Sequence, residues 1–341
     1  MLCTYIRSSS YNNYAYCQMQ YFITYVLGHL STSGKKADTG TIVHKVMECL
    51  AVLKKYQQDH PDHKRLRLND DAIGALETPV DSLLTDVLVE ELLDKSFISY
   101  TEKSAHDWTK GDRRTCLDLV WKTIRYNNGQ YDPRFRKIVE PEPHFDIPIE
   151  EDWAKYEYVD EASGKTLVGQ LAIKGTIDLV TEVAPDTIEV VDWKTGRRLD
   201  WASGEVKDYA KLCEDAQLLL YHYAISKLYP QYKHSIMSIF FVKDGGPFSM
   251  AFDRSDHEKF LKMLRVRYEA IKKNDRPRPI SFDRTNWKCT KLCHYFKNKW
   301  PGTNTSICQH VEGHLKENGM KDTLVQLTKP GHSVGHYEAP G

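Results

Sequence analysis

Two apolar, β-branched runs around a short turn constrain this chain more than any other feature. Residues 167–181 contain Gly175-Thr176-Ile177-Asp178-Leu179, residues 187–194 follow with Ile188-Glu189-Val190-Val191-Asp192-Trp193-Lys194, and Ala184-Pro185-Asp186 supplies a tight turn between them. The pattern predicts an antiparallel hairpin with Asp178 on one arm and Asp192 on the other. Strand side chains alternate, so Val190, Asp192 and Lys194 share one face while Val191 and Trp193 share the opposite one. An apolar strand that ends by aiming an acid and an amine at one place carries a desolvation cost that something must balance. A divalent cation would do so: Asp178 and Asp192 offer hard oxygen ligands suited to Mg2+ or Mn2+, which activates water and stabilises negative charge on an attacked phosphate. Lys194 would then position or deprotonate the water, or stabilise the transition state. For Asp192 and Lys194 taken alone, the plainer reading is an ion pair on a strand surface.

The rest of the chain supplies an α/β frame. Residues 8–28 carry aromatics and Cys17 at helical spacing and end at Gly28, which predicts one helix; a second is expected over about 40–59, capped by Asp38 or Thr39, with His44, Met47 and Ala51 on one side. Amphipathic stretches at about 79–95 and 106–127 complete a helical N-terminal region, 1–135. Strands over 137–149, 167–181 and 187–194, a helix over about 205–228, strands near 235–243 and 247–253 and a helix over 254–274 make a core spanning 136–275. A Cys-rich segment, 276–327, is expected to pack on the first helix, and the Gly/Pro/His-containing tail, 328–341, to be flexible. A nucleotide-cradling phosphate loop is excluded, because Gly164-Lys165-Thr166 has Val159 where the partner glycine belongs and Gly34-Lys35-Lys36 has neither the spacing nor the hydroxyl.

With these elements in order, the motifs resemble the RecB-like branch of the PD-(D/E)xK nuclease superfamily, to which the AddB nuclease domain and the CRISPR-adaptation exonucleases also belong. Gly175-Thr176-Ile177-Asp178 is similar to that branch's GxxD strand and Asp192-Trp193-Lys194 to its (D/E)xK strand; Gln217 through Tyr221 resembles the QxxxY helix motif and Gly40 through His44 the early GxxxH motif. The resemblance implies a restriction-endonuclease-like core, with a mixed central sheet flanked by helices. It also implies that His44, Asp178, Asp192 and the backbone carbonyl of Trp193 hold the metal, with Gln217 and Tyr221 joining Asp178, Asp192 and Lys194 in the catalytic site. Gln217 and Tyr221 lie four apart, so they share a helix face and could reach the DNA strand or the lysine; packing is the alternative for each. Glu142 resembles an acidic position ahead of the core strands, with Glu140 as its rival.

Eight cysteines with no secretory signal or bilayer-spanning run point to the cytoplasm, or a host cytoplasm for a viral protein, and to metal binding or buried thiols rather than disulfides. Cys17, Cys289, Cys293 and Cys308 resemble the iron-sulfur subset of the branch, implying a [4Fe-4S] cluster that fastens the two ends of the nuclease together. The three residues between Cys289 and Cys293 and the fourteen between Cys293 and Cys308 are longer gaps than in that subset. Zinc held by Cys289, Cys293, Cys308 and His310 or His294 is the competing site.

Equal totals of 47 basic and 47 acidic residues mean that nucleic acid must be held by a local basic surface. Arg197 and Arg198, Arg265 and Arg267, and the stretch from Trp287-Lys288 to Lys299-Trp300 are candidates, suited to a single strand or a duplex end. The resemblance to the RecB-like branch implies a metal-dependent DNA exonuclease in recombination, repair or processing, relying on a helicase or recombination partner for any unwinding. A trimming nuclease of CRISPR adaptation, a site-specific endonuclease and a non-catalytic DNA-binding scaffold are the alternatives.

Overall fold

A computed structural model describes residues 1–161, 163–199, 204–280 and 282–332, without the side chains of 282–286. In chain order the elements are β1 (Tyr5–Ile6), α1 (Ser8–Tyr16), α2 (Gln18–Tyr21) running into a π-helical turn (Phe22–Val26), α3 (Lys35–Asp59), β2 (Arg65–Asp70), β3 (Gly74–Pro79), α4 (Asp86–Glu102) and α5 (Lys110–Ile124). Then come β4 (Lys137–Pro141), β5 (His144–Pro148), β6 (Lys155–Asp160), β7 (Lys165–Gln170), β8 (Ala172–Thr176), β9 (Leu179–Ala184) and β10 (Thr187–Lys194). The chain continues through α6 (Tyr209–Cys213), α7 (Ala216–Leu228), β11 (His234–Phe241), β12 (Gly246–Phe252), α8 (Arg254–Lys273), α9 (Phe282–Leu292), α10 (His294–Lys297) and α11 (Ile307–Leu327).

A five-stranded sheet in the order β12-β11-β10-β9-β4 forms the centre, mixed because β10 and β11 run parallel while their neighbours are antiparallel. The alternation within β10 decides what covers each face. Ile188 and Val190 enter one core with α7 and α8, whereas Val191 and Trp193 enter a second with α3, α4 and α5. Both faces are thus buried under helices, as a strand with apolar residues pointing to both sides requires. This is a restriction-endonuclease-like α/β architecture, as the sequence leads one to expect.

Several expected elements divide. The single helix over 8–28 breaks at Cys17, which is extended (φ −154°, ψ 106°) and whose sulfur accepts the Gln20 N–H to start α2. The helix over 205–228 divides at Asp215, whose carboxylate accepts the Gln217 N–H and starts α7. Gly34, rather than Asp38 or Thr39, caps α3, so that helix begins five residues earlier than the expected 40. The N-terminal region is not all helical: β1 pairs with β8, and β2 and β3 form a hairpin whose Leu66 and Leu68 are buried against α3. Residues 329–332 of the expected flexible tail are anchored, with the Lys329 N–H on the Leu27 carbonyl at 2.8 Å; residues 333–341 lie outside the described residues.

The division that matters most is in the strands. Residues 137–149 and 167–181 each change sheets part-way: β4 and β9 belong to the five-stranded sheet, and β5 and β8 pair in a three-stranded sheet with β1. The two crossings lie side by side, the Glu142 N–H donating to the Asp178 carbonyl at 3.2 Å and the Ile177 N–H to the Pro143 carbonyl at 3.1 Å. Asp178 therefore sits at the crossing just before β9, not within a hairpin arm.

Candidate active site

The register of β9 against β10 explains how the first acid is held. Their antiparallel ladder ends at Val191 opposite Leu179, leaving Trp193 beyond its reach. The Trp193 N–H donates instead to Asp178 Oδ2 at 2.8 Å, so a side chain takes over where the backbone partner stops. Asp178 Oδ1 lies 3.3 Å from His44 Nδ1 on α3, and the His44 ring meets the edge of Trp193 with centroids 6.4 Å apart. Gly40 allows α3 to lie this close: a Cβ there would be 2.9 Å from Thr195 Oγ1, at the end of β10.

Asp192 is 1% exposed. Lys194 Nζ lies 3.0 Å from its Oδ1 and 2.7 Å from its Oδ2, and Gln217 Nε2 donates to Oδ1 at 3.1 Å. The Gln217 amide also donates to Tyr221 OH at 2.8 Å, and that hydroxyl donates to the Thr176 carbonyl at 2.8 Å. Gln217 and Tyr221 thus tie α7 to β10 and β8, and the burial of Tyr221 removes it from contact with a strand of DNA. His44 and Lys194, each a third exposed, open onto a cleft of about 390 Å³ lined also by Glu142, Thr195 and Gly196.

The electrostatics separate the two acids. Burial works to raise Asp178, but the His44 ring, Lys194 and the Trp193 N–H outweigh it and hold its carboxyl below the usual range. Burial dominates at Asp192; with Asp178 reinforcing it and Lys194 opposing, its pKa is pushed up to about 6. Burial disfavours the charged forms of Lys194 and His44, yet the acids beside them raise both above their ordinary values. Burial holds the Tyr221 hydroxyl well above its ordinary range, so it remains a donor.

Glu142 occupies the cleft wall with φ +48°, in the left-handed region, whereas Glu140 is engaged by Tyr229 OH at 2.5 Å. Beside Glu142 lies an acid that the sequence reading missed. Glu48, one turn beyond His44 on α3, is raised to about 7 by burial and by its contact with the Glu142 carboxyl. The i, i+4 spacing of His44 and Glu48 is the signal that could have found it.

As arranged, the charges of His44 and Lys194 balance the carboxylates, and among the described residues no three His, Cys, Asp or Glu side chains are gathered closely enough to hold a metal ion. The donor types still fit a hard divalent cation. The His44 imidazole lines the cleft with the Asp178 and Asp192 carboxylates directly behind His44 and Lys194, and among the described residues the buried Asp192 Oδ2 meets only the Lys194 ammonium, at 2.7 Å. The sequence matches the PD-(D/E)XK nuclease superfamily over residues 8–296.

This chain belongs to that superfamily.

PD-(D/E)XK nucleases generally use Mg2+ or Mn2+, in keeping with the oxygen donors of this nuclease. Among solved structures it is similar to a Eubacterium rectale protein described as a "Putative exonuclease", with 12% identity, a TM-score of 0.45, and coverage of 91% of this chain and 94% of that one. A second, SSO0001, has 15% identity, a TM-score of 0.27 and coverage of 72% and 91%. Neither likeness is close enough to carry an argument. A search of curated proteins finds no match.

Away from the cleft, Cys17, Cys289, Cys293 and Cys308 line one small cavity between α2 and the C-terminal helices, together with Tyr16 and Phe296. Burial raises all four thiols above their usual range. Neither candidate histidine lines this cavity: His310 stacks on Trp300 with centroids 4.7 Å apart, and His294 Nδ1 meets Thr32 Oγ1 at 2.9 Å. The remaining cysteines are free, with Cys3, Cys49 and Cys116 buried and Cys213 half-buried.

The two arginines after β10 differ. Arg198 Nη1 donates to the Lys207 carbonyl at 2.6 Å, and its guanidinium lies 4.5 Å from the Phe248 ring centroid, so it holds the loop. Arg197 is exposed and has no side-chain partner among the described residues.

Proposed function

We propose that the protein is a metal-dependent DNA exonuclease of the RecB-like branch, hydrolysing phosphodiester bonds in single strands or duplex ends during recombination, repair or DNA processing. The observation that carries this reading is the meeting of Asp178 with His44 and of Asp192 with Lys194 beside one open cleft. His44, Asp178, Asp192 and the Trp193 carbonyl would hold Mg2+ or Mn2+. The bound ion supplies positive charge for the attacked phosphate and an acidified water. Lys194, kept as an ammonium by both acids, stabilises the charge that develops on the phosphate. Gln217 and Tyr221 orient Asp192, and Arg197 meets the backbone of the DNA at the cleft rim.

The cysteine cavity supports a [4Fe-4S] cluster held by Cys17, Cys289, Cys293 and Cys308, because it offers four sulfurs and no nitrogen ligand. Such a cluster would fasten the C-terminal segment to the first helices, in the cytoplasm where thiols stay reduced. No helix among the described residues is long and apolar enough to cross a membrane.

The experiment is incubation of end-labelled single- and double-stranded DNA with the protein in Mn2+ or EDTA, beside Lys194→Ala. Cleavage that needs Mn2+ and is lost in the variant is expected; metal-independent cleavage, or equal cleavage by the variant, overturns the reading. Iron and acid-labile sulfide analysis, with the visible spectrum, tests the cluster, and a colourless zinc-containing protein refutes it.

A further inference from the structure

The charge balance of the whole chain hides one segment that departs from it. From Arg284 to Val311 there are five basic residues, Arg284, Lys288, Lys291, Lys297 and Lys299, and no Asp or Glu. Elsewhere surface lysines are repeatedly neutralised, as in Lys259 with Glu214 at 3.5 Å, Lys316 with Glu312 at 2.8 Å and Lys321 with Glu161 at 3.0 Å. Lys291 and Lys297 are exposed and have no carboxylate partner among the described residues, and Lys299 reaches only the neutral Asn304 side chain at 3.4 Å. An unneutralised row of ammonium groups raises the local potential for an anion.

One exposed aromatic ring lies in the same segment. Trp287 on α9 is 53% exposed, next to Lys288, whose ammonium lies 5.6 Å from the Trp287 ring centroid and 5.4 Å from that of Tyr16. The lysine contacts hold the indole in place while leaving more than half of the residue in solvent. Cys289 and Cys293 in the same helical segment line the cavity shared with Cys17, so this surface is backed by the body of the protein rather than by a free end.

We propose that the face of α9 and α10 formed by Trp287, Lys291 and Lys297 binds single-stranded DNA at a place separate from the cleft. An exposed indole offers a stacking platform for an unpaired base, and unpaired ammonium groups meet the phosphates on either side of it. A duplex would satisfy the lysines but leave the indole without a base, and an acidic protein would use the charge without the ring. The inference rests on the DNA-directed reading above but not on the cleavage chemistry.

The test measures anisotropy of fluorescein-labelled oligo-dT with the full chain in EDTA, so that binding is read without cleavage. Trp287→Ala is expected to weaken binding about tenfold, with Trp287→Phe retaining most of the affinity. Lys291→Gln with Lys297→Gln should flatten the dependence of log Kd on log salt by about 1.4, roughly 0.7 for each lysine on a single strand. Unchanged melting temperatures identify these losses as surface effects. Wild-type affinity in both charge and Trp variants overturns the proposal even if the protein cleaves DNA; binding that needs these residues, in a protein that never cleaves, supports it while the exonuclease reading fails. Equal competition by polyglutamate, or a blunt duplex binding as tightly with no effect of Trp287→Ala, also overturns it.

Discussion

Asp192→Asn exchanges a buried carboxyl for its uncharged isostere and separates folding energetics from metal chemistry. In the unfolded chain this carboxyl titrates near its ordinary value of 3.8, and in the folded protein near 6. Because the folded state holds the proton more tightly, the charged form opposes folding. The cost is absent below the lower value, grows as pH rises through the interval, and is complete above about 6. The gap corresponds to about 3 kcal/mol. Part of the relief is offset in the variant, because Lys194 loses an ionised partner while remaining a third exposed. We therefore expect the metal-free variant at pH 8 to be more stable by about 1–2 kcal/mol, a rise in melting temperature of roughly 1.5–3 °C for a chain of 341 residues. At pH 4 the difference should nearly vanish. Scanning calorimetry in EDTA at both pH values measures this. Adding Mn2+ should then raise the melting temperature of the wild type and not of the variant. A variant that is less stable than wild type at pH 8, or a stability difference that is the same at both pH values, refutes the electrostatic account of Asp192.

The glycines and arginines around the site carry the other predictions. Gly40→Ala places a Cβ 2.9 Å from Thr195 Oγ1 and should displace α3, weakening Mn2+ binding about tenfold by calorimetric titration; adding Thr195→Ala should recover it, and unaltered affinity in the single variant would show that this contact does not position His44. Gly175→Ala drives a Cβ to 2.5 Å from Phe145 Cζ, and overpacking should cost about 1–3 kcal/mol in urea unfolding; an unmoved midpoint contradicts that packing. Arg198→Ala should destabilise the fold by about 1–2 kcal/mol through loss of its carbonyl partner. Arg197→Ala should leave stability within about 0.5 kcal/mol while weakening binding to DNA in a salt-dependent way, and a variant pair with the reverse pattern would exchange their assigned roles.

What could be read from the linear chain was whatever depends on spacing along one element. The alternation that puts Asp192 and Lys194 on one face of β10, the four-residue step from Gln217 to Tyr221 and the helix bearing His44 are local periodicities, and all three are realised. Sheet membership is different, because it depends on pairing between distant segments. Residues 167–181 look like one strand since nothing in their composition marks the place where the chain leaves β8 for β9, and Asp178 owes its position to that crossing. The Glu142 turn, the approach of α3 permitted at Gly40, and the meeting of Cys17 with three cysteines more than 270 residues away are likewise tertiary facts. Sequence supplied the donor types and their local faces. Only the folded chain decided which donors share a cleft, because bringing them together requires long loops to close and two cores to pack on opposite sides of one sheet.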